Sequence, residues 1–314
     1  MIRNILLALI VLGLLLIGIS MSGKRARPLH KDVRTMMGTF IQVTSPDRRA
    51  KDIVFTEIER IEKLIDRNNP DSEISRLNEE GRLQVSPDTM FLLEKAKEFY
   101  SLSGGAFDIT IGPLLDLWGF TGQRYLQPSE SEIDNKLVYV GTDKIIFHRK
   151  DNMVQYQLSG MILDLGAIAK GYAVDRAVKK LKEAGIKDCL INAGGTIYGL
   201  GNRFGKPWKV TLPAPSGGDS LPEAVELKDS ALATFGNDEQ FFAQGKKRFP
   251  DVFDPRTGRI VRNGLSFVTV MAPDCLTADA LGITIFVLGR EKGGEFAKKF
   301  PGASVRFITN KNGQ

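Results

Sequence analysis

The chain is 314 residues long and 42% of its residues are hydrophobic, which is enough for one large domain or two intertwined ones with a proper core. Its formal net charge is +6, but residues 1–35 carry six basic side chains and one acidic one, which leaves +1 for the rest. The positive charge therefore belongs to the N-terminus, and we expect no basic face that binds nucleic acid on the folded body. The two cysteines, Cys189 and Cys275, lack metal-ligand spacing and are read as unpaired packing residues.

The N-terminus is apolar. Arg3 is followed closely by fifteen uncharged residues, Ile5–Ile19. This length is short for a bilayer span, which needs about 20 residues, and long for the core of a signal peptide. Small residues at Ser20 and Ser22 offer a cleavage site after Ser22. We predict that residues 1–22 are a signal peptide or a membrane anchor and that residues 23–35 are a basic linker. The protein is then exported, to the outer face of the cytoplasmic membrane or the periplasm.

Residues 36–314 mix strand-like and helix-like patterns without strict alternation. The predicted elements, in chain order, are a strand at 40–44, a helix at 51–66, a short helix after Ser72, a helix at 89–101, strands at 137–140 and 144–147, a helix at 168–184, strands at 189–191, 208–212 and 267–271, and helices at 277–288 and 291–300. This mixture predicts an α+β fold, a single large interleaved body of mixed sheets and helices behind the N-terminal hydrophobic segment.

Four short motifs follow one another in the second half of the chain. They are Asp164–Gly171 (Asp-Leu-Gly-Ala-Ile-Ala-Lys-Gly), Asn192–Gly195 (Asn-Ala-Gly-Gly), Asp254–Gly258 (Asp-Pro-Arg-Thr-Gly) and Thr277–Leu281 (Thr-Ala-Asp-Ala-Leu). Most of them combine glycines, which let a backbone approach a ligand closely, with a carboxylate or a cation. A nucleotide-diphosphate and metal site needs such groups. Each motif alone reads as a turn with charged neighbours.

The first motif has the features of a phosphate site. A predicted strand ends at Asp164, and a predicted helix begins with Lys170 in its first turns. Backbone N–H groups and the positive end of a helix attract phosphate, and Lys170 adds a mobile charge. The alternative is an ordinary strand–helix turn with a solvated lysine.

The second and third motifs are weaker signals. Gly194 and Gly195 follow a buried strand, where paired glycines mark a bend or a close approach of a ligand. Residues 254–258 have the composition of a turn, in which Arg256 is a candidate partner for phosphate.

The fourth motif contains a candidate metal ligand. Asp279 opens an apolar helix, so its carboxylate is expected to be partly buried and to need a partner. A Mg²⁺ ion that bridges to a phosphate is one such partner, and a helix N-terminal cap is the other reading.

Phe107, Asp108 and Thr110 place hydrogen-bonding groups beside an aromatic surface. This suits an aromatic ring system with polar edges, or equally a half-buried strand. The two histidines, His30 and His148, lie in polar surroundings and do not favour a Ser-His-Asp or Cys-His mechanism. Phosphate chemistry carried by metal, lysine and carboxylate fits the sequence better.

Taken together, these residues resemble the ApbE-type flavin transferases (FAD:protein FMN transferases). The resemblance covers Met37-Gly38-Thr39, Ser72–Asn78, Gly105–Asp108, Gly112–Leu114, Leu117–Phe120 and the four motifs, and it ends at Gly289. It implies exported enzymes that bind FAD as substrate together with Mg²⁺. Such enzymes cleave the pyrophosphate and join FMN by a phosphoester to a Thr or Ser of a partner flavoprotein, here expected to be a membrane or exported redox subunit.

The resemblance also implies roles for individual residues. Met37, Phe107 and Asp108 would contact the flavin, with Thr110 beside them. Asp164, Lys170, Gly194 and Gly195 would contact the nucleotide, with Arg256 as a further phosphate partner. Asp279 and the backbone carbonyl of Ala167 would hold the metal. Lys170 would neutralise phosphate charge, and Asp251 is the candidate that helps to deprotonate the acceptor.

The sequence departs from the family pattern at four places. The family usually has a Thr four residues after the metal Asp, where this chain has Ile283; Thr284 follows one residue later, a rotation of about 100° on a helix. Asp251 stands where a His is common, Phe235 replaces a Ser, and Asn68 replaces an aromatic residue. These changes leave two alternatives open. One is a hydrolase that releases FMN and AMP, which a water-accessible mouth at Asn68 favours, and the other is a non-catalytic FAD-binding protein.

Overall fold

The computed structural model describes residues 28–121, 126–212, 223–236, 241–244, 247–250 and 252–309, with the backbone alone at 241–244 and 247–250. The predicted signal peptide or anchor at 1–22 and the candidate base Asp251 lie outside these residues. Among the helices formed by the described residues, none combines the length and the apolar character needed to cross a bilayer.

Helices alternate irregularly with strands along the part of the chain that the structure describes. The helices are α1 (Ala50–Ile65), α2 (Glu73–Glu80), α3 (Pro87–Ser103), α4 (Gly112–Leu117), α5 (Glu130–Leu137), α6 (Ala169–Glu183) and α7 (Cys275–Ala297), with a 3₁₀ turn at Thr142–Lys144.

The strands fall into one large sheet and several small ones. The strands are β1 (His30–Met36), β2 (Thr39–Ser45), β3 (Arg82–Gln84), β4 (Ile145–His148), β5 (Met153–Tyr156), β6 (Cys189–Ala193), β7 (Thr196–Leu200), β8 (Trp208–Thr211), β9 (Ala224–Leu227), β10 (Ser230–Gly236), β11 (Phe241–Gln244), β12 (Lys247–Pro250), β13 (Phe253–Asp254), β14 (Arg259–Ile260), β15 (Leu265–Ala272) and β16 (Ser304–Thr309).

The large sheet is antiparallel, in the order β1-β2-β6-β7-β10-β15-β16. Its central strands alternate between two cores, as the two-residue period of a strand requires. On β10, Ala231 and Ala233 face the main core with α1, α6 and α7, whereas Leu232 faces a smaller core under the β8–β9 hairpin. A second, three-stranded sheet has the order β3-β5-β4. The prediction of an α+β body is confirmed.

The folded body begins before residue 36. Strand β1 starts at His30 and pairs with β2 along its whole length, from His30 opposite Ser45 to Met36 opposite Thr39. The predicted linker is therefore wrong over residues 30–35. The reason is that these residues are polar in sequence but lie at the edge of the sheet, where a strand needs little burial to pair.

Residues 137–140 form no strand. The structure places Leu137 at the end of α5, a helix that the sequence analysis missed, and continues with a turn. The helix starts at Glu130, its N-cap Ser129 forms a reciprocal capping box with Glu132, and it buries Ile133. The strand propensity of residues 138–140 is not realised, because they form the turn that follows this helix.

The last long helix has a defined beginning and a break. Asp274 caps α7 by accepting a hydrogen bond from the N–H of Thr277 at 2.7 Å. Gly289, with φ 78°, interrupts the helical path. The two predicted helices at 277–288 and 291–300 therefore correspond to the two parts of α7, the first of which begins two residues earlier than predicted.

Gly194 and Gly195 form the two-residue turn between β6 and β7, because Ala193 and Thr196 are the last paired residues of these strands. Both glycines have positive φ, 55° and 91°, as a type I′ hairpin turn requires. A Cβ atom at Gly194 would lie 2.3 Å from the hydroxyl oxygen of Thr39. The turn thus excludes side chains for both conformational and steric reasons.

We expect Gly194→Ala to lower the free energy of unfolding by about 2–4 kcal/mol. The alanine would have to adopt an unfavourable left-handed backbone conformation, and its Cβ would also clash with Thr39. Gly185→Ala is the matched control, since Gly185 has φ 75° but nothing within 4 Å of its added Cβ. The control should lose only about 1–2 kcal/mol. Urea denaturation of both variants measures the difference, and equal losses would contradict the steric argument.

Candidate functional site

One large cavity, of about 950 Å³, opens beside the main sheet. Its walls come from separate parts of the chain: the turn between β1 and β2, the C-terminal end of α1, residues 106–121, residues 164–170, the end of β10, residues 252–255 and the middle of α7. Cavities of this size hold cofactor-sized ligands. It is where the described residues gather most of the side chains singled out from the sequence.

The Asp164–Lys170 loop forms one side of the cavity as predicted. The Asp164 carboxylate accepts a hydrogen bond from the N–H of Gly166 at 2.9 Å. Helix α6 begins at Ala169 with no side-chain cap, so its positive end faces the cavity wall together with the half-buried Lys170. This arrangement attracts an anion such as phosphate.

Asp279 lies behind this loop and is completely buried. One carboxylate oxygen accepts the Thr196 hydroxyl at 2.7 Å, and the other accepts the N–H of Gly171 at 2.7 Å. Burial raises the pKa of this carboxyl, while the charge of Lys170 and the two hydrogen bonds oppose that rise. A further positive charge at this site would therefore stabilise the ionised form of the Asp279 carboxyl.

The residues around Asp279 fit a hard divalent cation. In a regular helix the N–H of Gly171 would donate to the carbonyl of Ala167; here it donates to Asp279, which leaves that carbonyl open to another partner. Within the described part of the chain no three His, Cys, Asp or Glu side chains cluster as metal ligands. One carboxylate with backbone oxygen and ligand phosphate is how Mg²⁺ is commonly bound, in contrast to a cage made of protein alone.

Arg67 is a cation in the cavity wall that the sequence analysis did not single out. Its guanidinium contacts Asp116 at 2.5 Å, Thr121 at 3.2 Å and Asp164 at 3.4 Å, and its side chain is 12% exposed. It connects the segment after α1 to residues 116–121 and to the loop that begins at Asp164. No local pattern points to it, because its partners lie 49 to 97 residues away in sequence.

Met37 lies at the turn between β1 and β2 and lines the cavity. Its φ is 51°, a left-handed conformation that is uncommon for a residue with a side chain, and its N–H donates to Glu62 on α1 at 2.5 Å. The glutamate thus holds the turn against the cavity. The positive φ is what the two-residue hairpin turn between Met36 and Thr39 requires.

Phe107 and Asp108 both line the cavity, but Asp108 is largely used within the protein. Its carboxylate accepts hydrogen bonds from Thr110 and Thr142, two from each residue. Burial raises the pKa of Asp108, and these hydrogen bonds oppose the rise. Thr110 is fully buried, its hydroxyl also accepts the N–H of Gly141, and it does not line the cavity. The contact of Thr110 with flavin stays a prediction; within the protein its hydroxyl supports Asp108.

Arg256 does not reach the cavity either. Its guanidinium pairs with Asp254 at 2.7 Å within the predicted turn, and the indole of Trp118 anchors this turn through the carbonyl of Gly258. The turn instead places Phe253 and Pro255 in the cavity wall. The phosphate contact of Arg256 stays a prediction; in the structure its guanidinium is paired with the carboxylate of Asp254.

Gly194 and Gly195 also lie outside the cavity lining. Their predicted contact with a nucleotide stays a prediction; what they do in the fold is to turn β6 into β7. This places Thr196, which was not singled out from the sequence, against Asp279.

Three of the four departures from the family pattern face the cavity. Phe235 and Ile283 form an apolar floor, and Phe235 packs so closely on Gly282 that a Cβ there would lie 2.2 Å from its ring. Asn68 is exposed at the rim. Thr284 cannot replace a hydroxyl at position 283, as expected from helix geometry, because its hydroxyl donates to the carbonyl of Ala280 at 2.5 Å.

A sequence model of the ApbE family matches residues 37–307. The chain belongs to the ApbE family. The FAD:protein FMN transferase of Vibrio cholerae is 33% identical to it over 304 residues, which cover 93% of this chain and 89% of that protein. The FAD:protein FMN transferase of Haemophilus influenzae is 32% identical over 254 residues, 77% of this chain and 73% of that protein.

Solved structures agree with the assignment to the ApbE family. The ApbE protein of Thermotoga maritima has a TM-score of 0.82 and 30% identity to this chain, over 90% of this chain and 94% of that one. The flavin transferase ApbE of Vibrio cholerae has a TM-score of 0.81 and 28% identity, over 91% and 96%. The resemblance drawn from the motifs is confirmed, and this member of the ApbE family is a transferase.

Proposed function

We propose that the protein cleaves FAD and transfers FMN to a Thr or Ser hydroxyl of a partner flavoprotein, with Mg²⁺ as the metal. In this reaction the acceptor oxygen forms a bond to the phosphorus of the FMN half. The bond from that phosphorus to the AMP half breaks, AMP leaves, and the hydroxyl proton passes to a base. Asp251 is the candidate base that the sequence offers.

The observation that carries the proposal is that Lys170 and the start of α6 line the cavity, while the buried carboxylate of Asp279 lies directly behind them and accepts the N–H of Gly171 on the same helix. Lys170 and the helix end attract the pyrophosphate and stabilise charge that develops as the phosphorus–oxygen bond breaks. Phosphoryl transfer depends mainly on such positioning and electrostatic stabilisation.

The charge of the cavity supports the need for a metal. Its lining contains four acidic side chains (Glu62, Asp66, Asp108 and Asp164) and two basic ones (Arg67 and Lys170). A pyrophosphate carries two negative charges, so binding it to this surface without a further cation would place like charges together at a high cost. Asp279 and the carbonyl of Ala167 would hold Mg²⁺, which neutralises pyrophosphate charge and polarises the phosphorus when bound.

The apolar walls suit the ring system of the flavin. Phe107, Phe120 and Phe253 line the cavity, and Phe120 meets Phe253 edge to face with ring centroids 5.2 Å apart. The floor formed by Phe235 and Ile283 adds hydrocarbon surface. Aromatic and aliphatic surface of this kind binds planar rings, with a few polar groups to orient them.

The acceptor is proposed to be a membrane or exported redox protein, because the apolar segment at residues 5–19 predicts export or anchoring. The test is product analysis. The full chain is incubated with FAD and Mg²⁺, with and without a flavoprotein acceptor, and the products are identified by mass spectrometry. Covalent FMN on the acceptor supports the proposal, and intact FAD under all conditions contradicts it.

Hydrolysis of FAD to FMN and AMP is a second candidate, because Asn68 leaves the rim of the cavity open to water. We expect Asn68→Tyr to lower the ratio of free FMN to protein-bound FMN, since a bulky ring at the rim shields the phosphorus from water. Asn68→Asp keeps the side chain small and serves as the control. An unchanged ratio in the tyrosine variant would argue against a role of the rim in choosing between water and acceptor.

A further inference from the structure

We propose that Thr196 is a positioning residue for the metal: its hydroxyl holds the Asp279 carboxylate in the orientation that binds a divalent cation. It does so in place of the hydroxyl that family resemblance implies at position 283. This inference rests on the proposed function, because it concerns the metal of that same site.

The contact itself is short and enclosed. The Thr196 hydroxyl donates to one carboxylate oxygen of Asp279 at 2.7 Å, and the two residues are 2% and 0% exposed. The N–H of Gly171 donates to the other oxygen at 2.7 Å. With one donor on each oxygen, the rotation of the carboxylate is fixed, while each oxygen keeps a lone pair for a cation.

Helix α7 offers no hydroxyl for this task. Ile283, one turn after Asp279, presents hydrocarbon to the cavity. Thr284 is also fully buried, but its hydroxyl donates to the backbone of its own helix at Ala280. The hydroxyl that contacts the metal carboxylate therefore comes from a different element of the fold, the large sheet.

The sheet holds Thr196 rigidly. Thr196 is the first residue of β7, where it pairs with Ala193 on β6 and Ala233 on β10, so strands flank it on both sides. The Gly194–Gly195 turn sets its position along the strand. Threonine is also restricted in χ1. A donor on such a support keeps its direction whether or not a ligand is bound, which is what orientation of a metal carboxylate requires.

The competing explanation is that Thr196 only satisfies a buried carboxylate and has no influence on the metal. The two explanations differ in metal affinity. Loss of a residue that orients a metal ligand lowers metal affinity by about 10–100-fold, whereas loss of a merely structural hydrogen bond changes stability and leaves the affinity of the folded protein unchanged.

The experiment measures Mn²⁺ binding to the full chain by electron paramagnetic resonance, with Mn²⁺ alone and with ADP present as a pyrophosphate ligand. Thr196→Val removes the hydroxyl at constant shape, and Thr284→Val is the matched control, a buried threonine on the helix of Asp279 that does not touch the carboxylate. We expect the first variant to bind Mn²⁺ about 10–100-fold more weakly and the second to bind as the unchanged protein does.

Two further variants make the test specific. Thr196→Ser keeps the hydroxyl and should bind Mn²⁺ as the unchanged protein does. If Thr196→Val does not fold, the comparison is made between Thr196→Ser and Thr196→Ala, of which only the alanine variant should lose affinity. Ile283→Thr, added to Thr196→Val, should recover part of the lost affinity by supplying oxygen from the helix. Unchanged Mn²⁺ affinity in folded Thr196→Val overturns the inference and leaves the proposed function standing. Absence of Mn²⁺ binding by the unchanged protein, even with ADP, overturns both the metal and this inference.

Discussion

Asp279→Asn is expected to lower kcat/KM for FMN transfer by at least about 100-fold. Loss of a residue that only orients a metal ligand lowers activity by about 10–100-fold, and loss of the ligand itself should cost more. Asparagine keeps the shape of the side chain but removes its negative charge. In this site the carboxylate is fully buried, and its two oxygens are oriented by Thr196 and Gly171. The charge that would hold the metal is therefore lost without a change in packing. Transfer of FMN to the acceptor is measured by in-gel flavin fluorescence.

The fold should survive this substitution. A buried carboxylate costs free energy to desolvate, so we expect the melting temperature of Asp279→Asn to equal or exceed that of the unchanged protein. Asp151→Asn, at an exposed turn between β4 and β5, should change neither activity nor stability. Full transfer activity in a folded Asp279→Asn variant would rule out the metal site described above.

Lys170→Met should lower kcat by about 100–1000-fold, the loss typical of removing one group that stabilises a developing negative charge. The lysine lines the cavity at the start of α6, and its charge also lowers the pKa of Asp279. Methionine keeps most of the hydrocarbon chain, so the effect reports on charge. Single-turnover kinetics with saturating FAD separate this loss from weaker binding.

The control for this substitution lies on the same helix. Lys180 is on the last turns of α6 and forms an exposed ion pair with Glu183 at 2.9 Å. Lys180→Met should leave kcat unchanged, since exposed ion pairs contribute little. Lys170→Arg, which keeps the charge with a different shape, should retain more activity than Lys170→Met. Equal rates for the arginine and methionine variants would mean that the charge at position 170 does not act on the reaction.

The departures from the family pattern have a common physical consequence. Phe235 and Ile283 turn a part of the cavity that would otherwise carry hydroxyl groups into an apolar floor. Oxygen for a metal must then come from Asp279, from the carbonyl of Ala167 and from the ligand. A site with fewer protein oxygens is expected to depend more strongly on the pyrophosphate to complete the coordination of Mg²⁺.

Local sequence identified those parts of the site whose neighbours in the chain define them. The Asp164–Lys170 segment joins a buried stretch to a helix, and glycine and apolar spacing are enough to place Lys170 near the helix start. Asp279 stood out because a carboxylate within an apolar helix needs a partner. The family resemblance rested on the order of such short motifs, each readable without knowledge of the fold.

Other predictions depended on the hydrogen-bond partner of a side chain, which the motif alone does not define. Arg256 was read as a free cation, but Asp254 neutralises it within the turn. Thr110 was expected beside the flavin, and in the structure its hydroxyl donates to Asp108 and accepts the N–H of Gly141. The strand expected at 137–140 does not form, because residue 137 ends α5 and a turn follows it.

The sequence by itself determined the class of fold, the order of the motifs and the membership of the family, because apolar periodicity, glycine turns and motif order are local properties of the chain. Only the tertiary structure decided which side chains share the cavity. Arg67 meets Asp164 across 97 residues and Thr196 meets Asp279 across 83. Such contacts exist because sheet pairing and helix packing bring distant segments together. A local sequence pattern does not show which distant partner a polar side chain will meet when the chain packs.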